Sequence, residues 1–244
     1  MPASPATPLV IAHRGASAEA PENTIAAFEL ALDHGADGIQ LDLHLSRDDQ
    51  PVVIHDFTLE RTSTGAGPVR GLTVRELKRL DIGSWRGRRW RGQRVQTLQE
   101  VLERFRERTR FWIDLKGGAD LYAGIEEQVI SMIEIYDVVE RALVRSFDRE
   151  ALARIRSMNR EVKLGALITR PPLEPILTAP GAAQAVCPGL DLLSREAVAG
   201  IRGAGLECYA GTANEPAQMD RLVEWEVDGI ITDRPALLRD RLGR

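Results

Sequence analysis

The chain has few of the features that mark several large protein classes. Its 244 residues include only two cysteines, Cys187 and Cys208, and these lack the C-x-x-C spacing of a paired metal site. Two cysteines provide no disulfide framework, so we expect small buried thiols in a reducing compartment. No stretch approaches the ~18 apolar residues that cross a bilayer, which argues against a membrane-spanning helix.

The chain also lacks an excess of positive charge. The formal net charge is −4, whereas nucleic-acid binders usually carry a strong basic excess. The N-terminal MPASPATP has neither the basic segment nor the apolar run of a signal peptide. We therefore expect a cytoplasmic protein with no nucleic-acid partner and no stable membrane association. The sequence does not indicate an oligomeric state.

What is present is an alternation of short β-rich runs with longer amphipathic segments. The predicted strands are Leu9–His13, Gly38–Leu45, Val52–His55, Phe111–Lys116, Ala142–Phe147, Lys163–Ile168, Ala185–Cys187, Glu207–Gly211 and Gly229–Thr232. The predicted helices are Thr24–His34, Thr97–Arg108, Ala123–Tyr136, Arg149–Met158, Arg195–Gly203 and Glu215–Trp225. This order is typical of a parallel sheet with helices packed outside it.

One predicted strand does not fit an eight-stranded parallel barrel. Only 46–51 separates Val52–His55 from the strand before it, and a parallel crossover needs a dozen or more residues. We expect this segment to fold back as a hairpin, with a turn near Asp48 and Asp49 that places His55 roughly opposite Asp42. The glycine-rich 57–96 then predicts an insertion over the barrel mouth, within a single domain spanning 1–244.

Two histidines end apolar strands and are candidates for catalysis. His13 ends LVIAH and His55 ends PVVIH, and catalytic residues of parallel barrels lie at the carboxyl ends of strands. In the strand Gly38–Leu45, the period of two puts Gln40, Asp42 and His44 on one face. We expect that polar face to line the barrel interior.

A second strand repeats the pattern, with Asp114 and Lys116 on the same face. Isolated buried carboxylates are costly unless they are paired or bind a metal, and oxygen ligands suit Mg²⁺ or Ca²⁺. Two interpretations stay open for these acidic residues. They bind a hard cation, or they form a buried Asp–Lys ion pair that fills the barrel.

The ordered set of motifs resembles the glycerophosphodiester phosphodiesterase family over essentially the whole chain. Each motif is weak alone, but their order and spacing are specific. The matching segments are His13-Arg14-Gly15, Pro21-Glu22-Asn23-Thr24, Gly35-Ala36-Asp37-Gly38, Asp42, Asp48, Val52–Asp56, Gly83-Ser84-Trp85, Asp114–Lys116, Ser146-Phe147-Asp148 and Asp228–Asp233.

This resemblance implies a fold, a reaction and a set of site residues. The fold is a TIM-like (β/α)8 barrel with a small insertion after the second catalytic strand, and the substrate is a small-molecule phosphodiester. His13 and His55 are implied as the acid–base pair, and Arg14 and Lys116 as phosphate ligands with Glu22 as a supporting group. A divalent metal, Mg²⁺ or Ca²⁺, is implied at Gln40, Asp42 and Asp114.

The chain departs from the family pattern at the implied metal ligands. The family usually has Glu at the positions of Gln40 and Asp114, so the implied cation site has one negative charge fewer and one shorter ligand. The sequence therefore predicts a metal-dependent hydrolase of glycerophosphodiesters. Two alternatives are a degenerate barrel that binds phosphorylated ligands without turnover, and a related diesterase that acts on lysophospholipids.

Overall fold

Strands and helices alternate along the chain as the sequence predicts. The computed structural model describes residues 7–118, 120–173 and 181–244. Strands lie at β1 (Leu9–His13), β2 (Gly38–Leu45), β3 (Pro51–Val53), β4 (Gln96–Thr97), β5 (Arg110–Leu115), β6 (Ala142–Ser146), β7 (Lys163–Ile168), β8 (Ala185–Pro188), β9 (Glu207–Gly211) and β10 (Gly229–Thr232).

Eight of these strands form a closed parallel barrel. The neighbours run β1, β2, β5, β6, β7, β8, β9 and β10, and the barrel closes because β1 pairs with both β2 and β10. This confirms the predicted TIM-like (β/α)8 barrel. The strands run in one direction, so their carboxyl ends meet at one rim, where such barrels carry their active sites.

The α-helices begin where the sequence offers capping residues. The side chains of Thr24, Thr97, Asp148 and Ser194 each accept a hydrogen bond from the first turn of the helix that follows. The helices are α1 (Ile25–Asp33), α2 (Val74–Leu77), α3 (Leu98–Phe105), α4 (Ile125–Ile135), α5 (Arg149–Met158), α6 (Arg195–Gly203), α7 (Pro216–Glu224) and α8 (Pro235–Arg241). Within the described ranges, none of them is long and apolar enough to cross a membrane.

The two faces of the strands separate apolar packing from the polar interior. Ile39, Leu41 and Leu43 of β2 are fully buried and belong to the main core between the strands and the helices. The opposite face of the strands fills the barrel, where Trp112 meets Tyr209 edge to face with ring centroids 5.3 Å apart. Apolar side chains therefore close the barrel below the level of Gln40 and Asp42.

The hairpin after β2 forms, but its predicted register is wrong by one residue. Leu43 pairs with Val53, and the Ile54 amide donates to the Asp42 carbonyl at 3.0 Å, so Ile54 rather than His55 lies opposite Asp42. The turn is centred on Asp48, because the Ser46 amide donates to the Gln50 carbonyl across a five-residue loop. β3 ends at Val53, and His55 lies just beyond it.

The segment between β3 and β4 has a small apolar cluster of its own. β3 and β4 pair antiparallel, with Val52 opposite Thr97, so the chain leaves and returns at the same place. The members of the cluster are Val52, Ile54, Leu59, Val69, Leu77, Ile82 and Val95. The division into one domain, 1–244, with an insertion at 57–96 stays a prediction, which this separate cluster supports.

Gly38 provides a test of how tightly the barrel interior packs. A Cβ at Gly38 would lie 2.2 Å from the Trp112 ring, whereas a Cβ at Gly203, on α6, would meet nothing within 4 Å. We expect Gly38→Ala to lower the free energy of unfolding by about 1–3 kcal/mol through overpacking. Gly203→Ala should raise it by up to about 1 kcal/mol through helix propensity. Urea denaturation of both variants checks this, and equal effects would contradict the proposed packing.

Candidate active site

A cavity of about 650 Å³, counted with its open mouth, lies at the carboxyl end of the barrel. The predicted site residues that line it are His13, Arg14, His55, Asp114 and Lys116. Gln40, Asp42 and Glu22 lie just beneath or beside this lining, as their contacts with Arg14 show. The structure thus brings together all of the residues that the sequence selected.

His13, at the end of β1, is oriented by the carboxylate of Asp233, which directly follows the last strand. Its Nδ1 lies 2.7 Å from Oδ1 of Asp233, which also accepts a hydrogen bond from the Ser17 hydroxyl at 2.8 Å. The Asn214 amide donates to the other oxygen of Asp233 at 2.5 Å. With Nδ1 engaged in this way, Nε2 is the ring nitrogen left for a ligand in the cavity.

His55 has an equivalent carboxylate partner next to it in the chain. Its Nδ1 lies 2.6 Å from Oδ1 of Asp56, and Arg61 binds both oxygens of Asp56 at 2.6 and 2.9 Å. Burial lowers the pKa of His55, and together with the positive charges of Lys116 and Arg14 it outweighs the Asp42 and Asp56 carboxylates, which raise that pKa. The His55 ring is therefore neutral near pH 7.

His44, which the sequence placed on the polar face of β2, is fully buried and supports His55 from below. Its Nε2 lies 2.9 Å from the His55 carbonyl oxygen, and its Nδ1 lies 2.7 Å from the Tyr122 hydroxyl. The carbonyl can only accept, so Nε2 carries the proton and Nδ1 accepts from the tyrosine. Burial lowers the pKa of His44 to about 4.

A chain of ion pairs joins the insertion to the barrel mouth. Arg61 donates to both oxygens of Glu22 at 2.8 Å as well as to Asp56, and Glu22 in turn accepts from Arg14 at 2.8 Å. Burial alone would raise the pKa of Glu22, but the two guanidinium groups outweigh it and hold the pKa below its usual value. Glu22 thereby positions Arg14 rather than facing the cavity.

Asp42 is fully buried and has contacts to both of its carboxylate oxygens. Oδ1 accepts from Lys116 at 2.8 Å and from the Gln40 amide at 3.0 Å. Oδ2 accepts from Asn23 at 2.8 Å and lies 3.2 Å from Nε of Arg14. Burial would raise the pKa of Asp42, but Lys116 and Arg14 hold it far below its usual range.

Asp114 is paired with an arginine that the sequence analysis did not select. Nε and Nη2 of Arg145, on β6, each lie 2.6 Å from Oδ1 of Asp114, and Arg145 is only 2% exposed. Lys116 lies farther away, at 4.0 Å from Oδ2. Burial would lower the pKa of Arg145, but the Asp114 carboxylate raises it, so the guanidinium stays charged.

These contacts do not fit a divalent ion at the three predicted ligands. The Gln40 oxygen already accepts the Arg14 amide at 2.9 Å, and its NH₂ group faces Asp42. Asp42 is engaged by two cations, and Asp114 by a third. Within the described parts of the chain, no group of three or more His, Cys, Asp or Glu side chains is arranged to hold a metal.

Several residues of this site were not selected from the sequence. Asp56 and Asp233 lay inside the matching segments, so a carboxylate near each histidine was a usable signal. Arg145 directly precedes Ser146-Phe147-Asp148, but spacing along one strand does not show that it pairs with Asp114 on the neighbouring strand β5. The missed residues are Asn23, Asp56, Arg61, Arg145, Asn214 and Asp233.

Comparison with known proteins places this geometry in a family. A model of the Glycerophosphoryl diester phosphodiesterase family matches residues 13–237. A glycerophosphodiester phosphodiesterase of Caldanaerobacter subterraneus subsp. tengcongensis is 40% identical over 232 residues, which cover 94% of this chain and 96% of the relative. One of Bacillus subtilis is 35% identical over an alignment of 257 positions, which covers 96% of this chain and 86% of the relative.

Solved structures show the same barrel. A phosphodiesterase from Oleispira antarctica, in complex with the product sn-glycerol-3-phosphate, matches with a TM-score of 0.89 and 27% identity, covering 98% of both chains. A glycerophosphodiester phosphodiesterase from Agrobacterium tumefaciens str. C58 matches with a TM-score of 0.82 and 31% identity. That match covers 96% of this chain and 99% of the Agrobacterium chain.

The buried His44 should make stability depend on pH. Because its pKa falls from 6.5 to about 4 on folding, the unfolded chain takes up a proton first as the pH drops below 6.5. The folded state should lose on the order of 3 kcal/mol between pH 6.5 and pH 4 through this residue. Denaturation of the wild type and His44→Gln at pH 7 and pH 4.5 measures the effect. Parallel losses in the two proteins would contradict it.

Proposed function

This chain belongs to the glycerophosphoryl diester phosphodiesterase family, and we propose that it hydrolyses glycerophosphodiesters to sn-glycerol 3-phosphate and an alcohol. Its relatives make it a phosphoric diester hydrolase. The observation that supports the proposal best is a pair of histidines, each with a carboxylate at Nδ1, on a cavity lined by several cations.

Arg14 and Lys116 bind the phosphate of the substrate in this proposal. Both line the cavity, and each is held by Asp42 from beneath, at 3.2 and 2.8 Å. Glu22 holds the Arg14 side chain in place, since its Oε1 lies 2.8 Å from Nη1 of Arg14. Positive charge set in advance around the phosphate stabilises the charge that develops in phosphoryl transfer, which is usually the largest contribution to the rate.

His55 acts as the base and His13 as the acid. The lowered pKa of His55 keeps its ring neutral near pH 7, the form that takes a proton from the attacking oxygen. As the new P–O bond forms, the bond to the alcohol breaks, and His13 gives a proton to the departing oxygen. Asp233 lies against the His13 ring, so a positive charge on that ring has a partner. If the attacking oxygen is that of water, sn-glycerol 3-phosphate forms directly. If it is that of the neighbouring glycerol hydroxyl, a cyclic phosphate forms first, and a water molecule then opens it to sn-glycerol 3-phosphate.

Enzymes of this family generally require a divalent metal. An ion of Mg²⁺ or Ca²⁺ at Gln40, Asp42 and Asp114 would supply Lewis-acid stabilisation of the phosphate, and for this chain it stays a prediction. The contacts of those three residues argue against it, and the steps above use only the side chains of the protein.

Removing either histidine should abolish most of the activity. Each acid or base contributes ~10²–10⁴-fold, so His13→Ala and His55→Ala should lower kcat by about that factor. Release of sn-glycerol 3-phosphate from glycerophosphocholine and glycerophosphoethanolamine measures the rate, with His34→Gln, outside the cavity, as the control of unchanged activity. If the folded wild type binds sn-glycerol 3-phosphate but hydrolyses none of these substrates, the non-catalytic alternative is favoured. Hydrolysis of lysophospholipids alone would favour the alternative of a related diesterase that acts on those lipids.

The leaving group should distinguish the two histidines. p-Nitrophenolate departs without a proton, so a substrate with that group no longer needs the acid. We expect His13→Ala to hydrolyse it within about tenfold of the wild-type rate, and His55→Ala to keep the ~10²–10⁴-fold defect of a missing base. Steady-state kinetics on glycerophosphocholine and on the p-nitrophenyl substrate give the comparison. The opposite pattern would make His13 the base and His55 the acid.

A further inference from the structure

We propose that Arg145, Lys116 and Arg14 supply the positive charge around the substrate phosphate, so that hydrolysis by this chain needs no divalent metal. The inference rests on the proposed hydrolysis and concerns only the source of the charge. It starts from the disagreement between the predicted metal ligands and the contacts that those residues make.

Gln40 presents the wrong group to a cation. The backbone N–H of Arg14 donates to the Gln40 oxygen at 2.9 Å, and this bond fixes the orientation of the amide, because the reverse orientation would set donor against donor. The NH₂ group of Gln40 consequently faces Asp42 at 3.0 Å. An amide nitrogen in this position donates a hydrogen bond and offers no lone pair to a metal.

Asp42 already has close partners on both carboxylate oxygens. Lys116 and Gln40 contact Oδ1 and Asn23 donates to Oδ2 within 2.8–3.0 Å, and Nε of Arg14 lies 3.2 Å from Oδ2 without completing a hydrogen bond. A cation bound at the 2.0–2.6 Å typical of Mg²⁺ or Ca²⁺ would have to displace Lys116 or Arg14. Displacing either one would separate a largely buried positive charge from Asp42, which is unfavourable.

Arg145 has a space built for it inside the barrel. It pairs with Gly165 of β7, and a Cβ at Gly165 would lie 3.2 Å from Cγ of Arg145 and 2.9 Å from a methyl group of Leu143. The missing side chain at 165 leaves room for the arginine, and Asp114 then binds Nε and Nη2 together at 2.6 Å. The Asp114 side chain that binds Arg145 is one methylene shorter than the glutamate that the family usually has at this position.

The charges that line the cavity point the same way. Arg14, Lys116 and Arg145 line it together with Asp114, and the Asp42 carboxylate lies beneath Arg14 and Lys116. Three positive charges then outnumber two negative ones, which favours a phosphodiester anion over a divalent cation. An arginine keeps its charge at every working pH, so Arg145 adds a permanent positive charge to the cavity while its Nε and Nη2 bind Asp114.

The first experiment uses the wild-type protein after dialysis against EDTA, with its residual metal measured by elemental analysis. We expect less than about 0.1 equivalent of metal and a rate of glycerophosphocholine hydrolysis within twofold of the undialysed protein. Millimolar Mg²⁺ or Ca²⁺ should leave that rate unchanged, and calorimetric titration with either ion should show no saturable binding.

Variants test the role of the guanidinium directly. Arg145→Gln should lower kcat/KM about 100-fold in EDTA, and Arg145→Lys, which keeps the charge but not the guanidinium group, should retain an intermediate rate. Gln40→Glu, with or without Arg145→Gln, restores an acidic ligand and should create saturable Mg²⁺ binding. Circular dichroism and thermal unfolding show whether each variant is folded.

The outcomes separate this inference from the proposed function. If EDTA abolishes hydrolysis by the wild type and Mg²⁺ or Ca²⁺ restores it, the inference is wrong and the proposed hydrolysis stands. If no head group is hydrolysed with or without metal, the proposed function fails. Calorimetry then still decides the inference, since saturable Mg²⁺ or Ca²⁺ binding that Asp42→Asn removes would overturn it, and no binding would support it.

Discussion

The neutralisation of one buried carboxylate organises the mouth of this barrel. Asp42 lies on β2 with no exposure to solvent, where an unpaired charge would be prohibitively unfavourable. Its partners come from three places: Lys116 follows β5, Gln40 lies on β2 itself, and Arg14 and Asn23 belong to the connection between β1 and α1. That connection has left-handed backbone at both Arg14 and Asn23, with φ of 58° and 57°. The interactions with Asp42 and Gln40 offset this conformational cost.

The same interactions prepare the site for an anion. Residues that neutralise Asp42 also form the floor of the cavity, so their charge is fixed before a substrate arrives. Above them, His13 and His55 are each held at Nδ1 by a carboxylate, His13 by Asp233 near the other end of the sequence and His55 by the adjacent Asp56. The arrangement leaves two basic nitrogens and several cations facing one space, which is what an acid–base reaction at a phosphodiester requires.

Periodicity in the sequence was enough to predict the barrel and most of its strands. The bounds of β1, β2, β7, β9 and β10 agree with the prediction, because each alternates cleanly between a core face and an interior face. α8 was missed, since its seven residues give little periodic signal. The hairpin register failed by one residue because it depends on turn geometry, here a five-residue loop closed by Ser46 and Gln50.

For the site, periodicity predicts which face a side chain occupies but not which partner it meets. Asp42, Asp114 and Lys116 were correctly placed on interior faces, and both interpretations of them were open. The ion pairs depend on the pairing of Asp114 with Arg145 on the neighbouring strand β6 and on the orientation of the Gln40 amide. Neither follows from the spacing of residues along one strand. The motif resemblance located the site, and the contacts assigned its charges.

Arg61 has a consequence for protein engineering. It lies near the start of the insertion, yet it binds both Asp56, the partner of His55, and Glu22, the partner of Arg14. Beyond it, the chain returns to the barrel through the short β4, which pairs with β3 at the edge of the sheet. The region after Arg61 is therefore the natural point of exchange between homologous barrels. A chimera that replaces 64–94 and keeps Arg61 would change most of the insertion over the barrel mouth, while His55 and Asp56 stay in place.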